Sequence, residues 1–379
     1  MKIPNDKIVC CVTPSGKENK YIDLMRSALR KIDVEPVSKK QRDASDYIWH
    51  HWIEKTPYLS LIKLYKATQK KIIWNVHNKI PHDAKDVQQA KAFMAATADA
   101  AHKIVIHCKE SVEVVSELCE NNPDVLDKIV YVPHPNYIGV YGPEKRDNSL
   151  SNDKLSLCFF GKVKEYKNIE LLIAAINELN YNDVELKIIG RCWNPQYFHN
   201  LIGDNKHIKT DFRFIDDSEI PEISANSHLF VFPYNTASSL NSGATLLAFS
   251  YGRSVLSSLT GTLADVEDKS MFFSYSYNNP AEHKEMLKQQ ITAIRNQYKG
   301  DYNELLTLGE RCRNYVSEHN SLERVAKQLS LVFDNREKAP RNISTRLAGL
   351  QLRIMLPARK IMLLGKKAFP VIQNKLKWT

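Results

Sequence analysis

Short apolar runs alternate with longer amphipathic stretches along most of the chain, which is the pattern of strands alternating with helices. Apolar runs of strand length are KIVCCV, DYIWHHW, KIIWNV, KIVIHC and KIVYVPHP in the first half, and LSLCFF, VELKIIG, FRFI, HLFVFPY, SVLSS and MFFSYS in the second. Helical spacing is clearest in YIDLMRSALRKI, NIELLIAAINEL, GATLLAFSYG and AEHKEMLKQQITAIRNQY. Strands separated by helices form parallel sheets with helices on both faces, so the sequence predicts an α/β protein.

The alternation is interrupted once, by the polar and turn-forming stretch GPEKRDNSLSNDK at about 142–154. It begins again afterwards. We therefore predict two Rossmann-like domains with parallel sheets that face a cleft, over residues 1–145 and 146–335, followed by a basic amphipathic tail over 336–379. In open parallel sheets, ligands bind beyond the carboxyl ends of the strands. The turns that follow the strands are the place to look for chemistry.

The composition is that of a soluble globular protein, with 43% hydrophobic and 25% charged residues in a chain of 379. No apolar run reaches the roughly 18–20 residues of a membrane-spanning helix, and the N-terminal residues lack the apolar region of a secretory signal. The seven cysteines form neither a CxxC pair nor a metal-binding spacing, which indicates reduced thiols. We expect a cytoplasmic protein.

The formal net charge of +10 lies entirely in residues 336–379, which hold eleven basic residues and one acidic residue. The rest of the chain is electrically balanced, and this disfavours a nucleic-acid-binding surface there. The tail suits a segment that lies on an anionic membrane surface, with Trp378 near the headgroups. The alternative is a pair of C-terminal helices docked on the protein or on a partner. The membrane interpretation places the protein peripherally at the inner face of the cell membrane.

A lysine-rich turn follows the strand LSLCFF. Gly161 lets the backbone approach a ligand, Lys162 is next to it, and Lys167 lies at the start of the next helix. The N–H groups and dipole of a helix N-terminus already favour an anion, so a cation is unfavourable there unless an anion binds. Phosphate is the natural anion. The alternative is a solvated lysine-rich turn.

A second turn leads from HLFVFPY into a helix through Asn241, Ser242, Gly243 and Ala244. Their small side chains expose consecutive amide hydrogens at a helix N-terminus, which predicts a second anion site in the same half of the chain. The alternative is an ordinary serine N-cap beside a glycine needed for packing. Two such sites in one Rossmann-like domain suit a diphosphate.

The second half resembles the GT-B glycosyltransferases, in particular the retaining enzymes of the family 4 type found in capsule and exopolysaccharide synthesis. The segments FFGKVKEYKN and NSGATLLAFSYGRSVLSS carry the resemblance, which covers about residues 7–335. It implies a nucleotide-diphosphate-sugar donor, no further cofactor, and contact of Lys162 and Lys167 with the donor pyrophosphate. The donor site expected from these motifs comprises Gly161, Lys162, Lys167, Arg191, Asn241, Ser242, Gly243 and Ala244.

One departure from the family concerns two glutamates, separated by seven residues, that contact the donor sugar and the ribose in many members. Alignment on Gly252 puts these positions at Ser239 and Leu247, and neither is acidic. Leucine accepts no hydrogen bond from a ribose, so we expect ribose recognition to differ or to be weaker.

The first half is expected to hold the acceptor and to complete the site. The turn WNVHNKIPHD contains His77 and His82. The resemblance places a histidine of this domain near the donor sugar, and we assign that role to His77. We assign His51, Trp52 and His82 to the acceptor, although an aromatic core edge is the alternative for the first two. The adjacent His107 and Cys108 point to opposite faces of a strand, which argues against a Cys–His dyad.

The sequence therefore predicts a hexosyltransferase with His77, Lys162 and Lys167 as catalytic residues. The resemblance implies retention of configuration, and the absence of a DxD element at a strand end predicts no metal. The acceptor would be a glycan or a polyprenyl-diphosphate-linked oligosaccharide in cell-surface polysaccharide synthesis. Two alternatives stay open: a catalytically degenerate GT-B module that binds glycans or acts as a scaffold, and a nucleotide-sugar epimerase of the same fold.

Overall fold

The computed structural model describes residues 7–13, 19–52, 69–82, 84–145 and 150–333, which form two α/β domains. The basic tail predicted over 336–379 lies outside the described residues. Within the described part of the chain, no helix is long and apolar enough to cross a membrane.

The N-terminal domain is built on a six-stranded parallel sheet in the order β2-β1-β3-β4-β5-β6. Its strands are β1 (Ile8–Thr13), β2 (Val34–Val37), β3 (Tyr47–His50), β4 (Lys71–Val76), β5 (Lys103–Ile106) and β6 (Ile129–Tyr131). Its helices are α1 (Lys20–Lys31), α2 (Val87–Ala100), α3 (Glu110–Leu118) and the single turn α4 (Pro123–Leu126).

The C-terminal domain has a second six-stranded parallel sheet in the order β12-β11-β10-β7-β8-β9. Its strands are β7 (Leu155–Phe160), β8 (Val184–Ile189), β9 (Ile208–Asp211), β10 (Leu229–Phe232), β11 (Ser254–Ser258) and β12 (Phe273–Tyr275). Its helices are α5 (Ile169–Leu179), α6 (Pro195–Ile202), α7 (Ile220–Ala225), α8 (Gly243–Ser250), α9 (Gly261–Ala264), α10 (Pro280–Tyr298) and α11 (Glu304–His319).

Both sheets are covered on their two faces, which explains the continuous apolar runs in the sequence. Every residue of β3 and of β10 is buried. Asn19 caps α1 by accepting a hydrogen bond from the backbone N–H of Ile22. Gly252 has a left-handed backbone (φ 64°) just beyond α8, at the position where a glycine commonly ends a helix.

The last helix, α12 (Leu322–Ser330), returns from the C-terminal domain to the N-terminal one. Its buried side chains Val325, Ala326 and Leu329 join the core formed by α1 and the N-terminal sheet, and Val332 and Phe333 extend the same contact. The sequence-based division assigned these residues to the C-terminal domain. By its packing, the N-terminal domain is therefore assembled from both ends of the described chain.

The structure differs from the sequence interpretation at the edges of both sheets. Strand β2 contains Pro36 and was not predicted, since proline is confined to sheet edges and breaks the strand pattern. The run FRFI, predicted as a strand, lies just beyond β9, which ends at Asp211. Phe214 in that run is 64% exposed, so its apolar character is not that of a core strand.

The strand order locates the ligand crevice of the C-terminal domain. Strands β7, β8 and β9 follow one another toward one edge of the sheet, and β10, β11 and β12 follow one another toward the other edge. The direction of the strand order therefore reverses between β7 and β10, as in a doubly wound sheet. Ligands bind such sheets outside the carboxyl ends of the strands at this switch point. The two turns that the sequence singles out follow β7 and β10 and flank this point.

Candidate functional site

The turn after β7 is shaped around Lys167. Gly161 has φ 131°, and a Cβ at this position would stand 2.9 Å from Lys167 Nζ. Only glycine adopts this backbone without strain and leaves room for the ammonium group. Asn168 has a left-handed backbone before α5, and its side-chain amide donates to the carbonyl oxygen of Pro233 at 2.9 Å. The turn after β7 is thus tied to the turn after β10.

Lys167 is a buried cation, only 8% exposed. Its Nζ lies 5.3 Å from the ring centroid of Phe159 and 5.9 Å from those of Tyr166 and Tyr234. It makes no hydrogen bond or ion pair with any residue that the structure describes. Burial, and then the nearby charges of two further lysines, lowers the pKa of Lys167 to about 8. A desolvated, uncompensated cation of this kind is a site for an anion.

Lys162 and Arg191 lie at the rim of this site and are exposed. The backbone N–H of Val163 donates to the carbonyl of Arg191 at 3.0 Å, so the turn after β8 lies against the turn after β7. The Arg191 guanidinium is placed 5.4 Å from the ring centroid of the exposed Phe214. Both cations are therefore beside the crevice, but neither is buried in it as Lys167 is.

The second predicted anion site is the N-terminus of α8. Ser242 caps the helix: its Oγ accepts from the N–H of Thr245 at 3.1 Å. The N–H groups of Gly243 and Ala244 have no acceptor among the described residues. Two unpaired amides at a helix N-terminus attract an anion through both their hydrogens and the helix dipole.

Tyr234 connects the two anion sites. Its hydroxyl oxygen accepts a hydrogen bond from Ser242 Oγ at 3.4 Å, while its ring is one of the three that surround the ammonium of Lys167. Tyr234 therefore contacts both the Lys167 ammonium and Ser242, the N-cap residue of α8, at the switch point of the sheet. Binding of a diphosphate across these two turns stays a prediction.

The turn after β4 crosses from the N-terminal domain onto this site. The side-chain amide of Asn241 donates to the carbonyl oxygens of Val76 and His77, at 3.3 and 3.2 Å. Further along the turn, the ring of His82 stacks on Tyr166 with centroids 3.6 Å apart. His77 and His82 thus lie over the α8 site and the Lys167 site respectively. The structure brings together the residues predicted from the two halves of the chain.

Three buried histidines and the half-buried His77 surround Tyr21 at the carboxyl edge of the N-terminal sheet. The ring centroids of His51, His77, His107 and His134 lie 5.3, 5.2, 5.7 and 4.8 Å from that of Tyr21. We call this group the histidine cluster. Burial lowers the pKa of every member, to about 4 for His107 and about 3 for His134. All four are therefore neutral at pH 7 and act through hydrogen bonds rather than through charge.

Trp52 covers one side of the cluster by stacking on His77, with centroids 4.9 Å apart and planes 15° from parallel. A cavity of about 50 Å³ lies among His51, Trp52, Asn75 and His77. Ligand pockets are roughly 300–1,000 Å³. The cavity as it stands is therefore too small to hold a whole sugar.

Several solved structures share this architecture. HepE from Anabaena, solved with UDP, has 13% identity and a TM-score of 0.65 over 87% of this chain and 100% of its own. Sucrose-phosphate synthase from Thermosynechococcus elongatus has 12% identity and a TM-score of 0.66, over 87% and 99%. The catalytic domain of starch synthase IV from Arabidopsis thaliana, bound to ADP and acarbose, has 13% identity and a TM-score of 0.62, over 87% and 99%. These likenesses show the fold. No curated protein sequence matches the chain.

Residues 154–298 match the family model described as Glycosyl transferases group 1. The chain is a glycosyltransferase of the GT-B fold. The matched segment runs from β7 to the end of α10 and contains both anion sites. The predicted fold and the prediction of a glycosyltransferase are confirmed, while transfer of a hexose stays a prediction. The roles assigned to individual residues stay predictions.

At the two positions where many members of the family have glutamates, this glycosyltransferase has Ser239 and Leu247, and neither carries a carboxylate. Ser239 is buried at the domain contact, where it pairs with Asn78, and its Oγ has no hydrogen-bond partner among the described residues. Leu247 is buried within α8 and packs in the core of the C-terminal domain. Leu247 therefore contributes packing, while Ser239 Oγ is a small polar group next to the cleft.

The sequence interpretation missed Tyr21, His107, His134 and Tyr234. The histidines had a signal: β3, β4, β5 and β6 are each followed within three residues by a histidine. Carboxyl ends of neighbouring parallel strands meet at one edge, so these side chains had to converge. As argued from the sequence, His107 and Cys108 form no dyad. His107 contacts Tyr21, whereas Cys108 Sγ lies 3.2 Å from Ser111 Oγ.

In the described part of this glycosyltransferase, no three His, Cys, Asp or Glu side chains are placed together so that they could hold a metal ion. Metal independence stays a prediction.

Proposed function

We propose that this glycosyltransferase moves a hexose from a nucleoside-diphosphate sugar to a hydroxyl group of a glycan or of a lipid-linked oligosaccharide, with retention and without a metal. The observation that carries the proposal is the buried Lys167 ammonium, which has no counter-ion among the described residues and is connected through Tyr234 to the N-terminus of α8. Solved neighbours that bind UDP, UDP-glucose and ADP support a donor of this class.

The reaction requires charge stabilisation more than a strong base. When the glycosidic C–O bond breaks, its electron pair goes to the leaving diphosphate. Lys167, the amides of Gly243 and Ala244, and the exposed Lys162 at the rim are placed to stabilise that charge, which lowers the barrier. The acceptor oxygen then bonds to the anomeric carbon from the leaving-group side, and its proton passes to the departing phosphate oxygen. His77, neutral at pH 7, would hydrogen-bond the donor sugar rather than carry charge.

Domain closure has a defined role in this scheme. The turn from His77 to His82 contacts both anion sites, so it covers the donor once the cleft closes. Excluding water limits hydrolysis of the donor. Asn241→Ala should weaken closure, because it removes two hydrogen bonds between the domains. Release of nucleotide without acceptor should then increase relative to transfer.

Binding of nucleotides is tested first, by thermal shift with UDP, GDP and ADP and their sugars. Transfer is then tested by nucleotide release with and without glycan and polyprenyl-diphosphate-linked acceptors, and NMR of the product gives its anomeric configuration. Activity in EDTA tests metal independence. Interconversion of the donor sugar without transfer would instead show an epimerase. The proposal is wrong if no nucleotide stabilises the protein.

A second candidate function is a catalytically degenerate module that binds a glycan. The observation in its favour is the absence of carboxylates at Ser239 and Leu247. Such a protein would bind glycans in calorimetry but release no nucleotide with any donor and acceptor pair.

The lipid-linked acceptor is linked to the proposal for the tail, which lies outside the described residues. We infer from its charge that residues 336–379 adsorb to anionic lipid. The full chain should sediment with vesicles containing phosphatidylglycerol and not with pure phosphatidylcholine. Binding should weaken at high salt. Equal binding to both vesicles would contradict the electrostatic interpretation.

A further inference from the structure

A chain of hydrogen bonds runs through the histidine cluster and has a fixed direction. His107 Nδ1 lies 2.7 Å from the carbonyl oxygen of Val132, and His107 Nε2 lies 2.8 Å from the hydroxyl of Tyr21. The same hydroxyl lies 3.1 Å from His51 Nδ1. All three side chains are buried. The chain therefore reaches from the backbone after β6 to the turn after β3.

The chemistry of each group sets where the protons lie. A carbonyl only accepts, so the proton of neutral His107 is on Nδ1 and its Nε2 must accept. Tyr21 has one hydrogen and donates it to His107. The other acceptor near Tyr21, Asn75 Oδ1, is 3.5 Å away and is therefore the weaker partner. The tyrosine oxygen then accepts from His51 Nδ1–H. His51, being neutral, is left with an unprotonated Nε2.

Among the described residues, His51 Nε2 has no hydrogen-bond partner although it is fully buried. Most buried polar atoms are paired, so an exception of this kind needs an explanation. His51 lines the cavity of about 50 Å³ described above, together with Asn75, whose Nδ2 is also unpartnered. Besides the ring nitrogen Nε2 of His77, which is also unpartnered, the cavity presents one acceptor on His51 and one donor on Asn75. A hydroxyl group, which both donates and accepts, satisfies the two at once.

We propose that Tyr21 and His107 are positioning residues that hold His51 in its Nδ1–H tautomer, so that His51 Nε2 accepts a hydrogen bond from a substrate sugar hydroxyl. Trp52, at the other side of the cavity, offers an apolar face for the C–H groups of the same sugar. The naming of a sugar as the ligand rests on the function proposed above. The hydrogen-bond chain itself is independent of that function.

The tautomers are measured directly, by long-range proton–nitrogen NMR of the full chain labelled with ¹⁵N-histidine. Signals of His51 and His107 are assigned from the variants His51→Gln and His107→Gln. Both histidines should carry their proton on Nδ1. In Tyr21→Phe, His107 should keep this tautomer because Val132 is unchanged, whereas His51 should shift toward Nε2–H. Tyr302→Phe removes a buried hydroxyl in the other domain and should change neither. A wild-type His51 protonated on Nε2, or one unaffected by Tyr21→Phe, would overturn the chain.

Kinetics test the ligand. Tyr21→Phe should raise KM by about tenfold for the substrate whose hydroxyl meets His51, the loss of roughly one buried hydrogen bond. A change confined to the acceptor KM identifies an acceptor hydroxyl, and one confined to the donor KM identifies a donor hydroxyl. An analogue of that substrate that lacks this hydroxyl should bind the wild type and Tyr21→Phe equally. An unchanged KM for both substrates, with the tautomer altered, would exclude a sugar at His51. Absence of transferase activity in the wild type would refute the proposed function but leave the NMR result valid.

Discussion

The replacement of Lys167 by methionine separates a binding role from a structural one. Methionine is unbranched and of similar length, and it packs well against aromatic rings such as those of Phe159, Tyr166 and Tyr234. The variant loses the ammonium group but fills the same space. We expect it to be more stable than the wild type and to lose nucleotide binding, because the buried charge serves the ligand and not the fold.

The size of the expected gain in stability follows from the pKa of Lys167, which burial lowers from 10.5 to about 8. A shift of this size corresponds to a penalty of roughly 3 kcal/mol for the charged form in the folded state. Cation–π attraction offsets part of it, by about 0.5–1 kcal/mol for each well-placed ring. The three centroids lie at 5.3–5.9 Å, near the outer limit, so a net penalty of about 1–2 kcal/mol remains. At roughly 2–4 °C per kcal/mol, Tm should rise by about 2–8 °C at pH 7.

The difference in stability between Lys167→Met and the wild type depends on pH. Below pH 8 the lysine is charged in both the folded and unfolded states, and the penalty is complete. Between about pH 8 and 10.5 the folded state loses the proton first, so the penalty decreases as pH rises. The stability advantage of Lys167→Met should therefore be constant below pH 8 and shrink above it.

The assay is thermal unfolding with and without UDP, GDP and ADP, with Lys206→Met as the control. Lys206 is exposed, so its replacement removes the same charge from a side chain that folding has not taken out of water. The control should keep both the wild-type Tm and the nucleotide-induced shift. A fall in Tm for Lys167→Met would mean that the lysine stabilises the fold. An undiminished nucleotide shift would refute the anion site.

Three further predictions concern the same molecule. Nucleotide affinity should fall above about pH 8, where Lys167 deprotonates, and calorimetry should find no such fall in Lys167→Arg, because arginine stays charged. Gly190→Ala should destabilise the protein by about 2–4 kcal/mol in chemical denaturation, because the backbone has φ 131° and the new Cβ would overlap the carbonyl of Gly161. Leu329→Ala, at a fully buried position of α12, should cost about 2–5 kcal/mol, whereas Leu331→Ala, 45% exposed, should cost about 0.5 kcal/mol or less; equal effects would contradict the packing of α12 on the N-terminal domain.

The fold was largely predictable because central parallel strands are buried on both faces and leave continuous apolar runs in the sequence. Strands β7 and β10 are clear in this way. Edge strands lack that signal: Pro36 hid β2, and the apolar run around Phe214 suggested a strand where an exposed loop lies. The return of α12 to the first domain could not be inferred, since an amphipathic helix does not specify which core it covers.

The candidate site was predictable where it depends on neighbouring residues. The spacing from Gly161 to Lys167 is local, and it indicated an anion site directly. The burial and lowered pKa of Lys167 are not local, because they arise from rings contributed by β7 and by the turn after β10. The histidine cluster depends entirely on register, since it joins positions from Tyr21 to His134 that only the folded sheet brings together.

The return of α12 has a consequence for synthesis on the ribosome. The first domain lacks part of its core until Val325, Leu329 and Phe333 have been made, about 200 residues after its last strand. At roughly 5–20 residues per second, this is a delay of about 10–40 s. During that interval the part of α1 that packs against α12 lacks this partner. The nascent first half should therefore depend on chaperones until translation is almost complete.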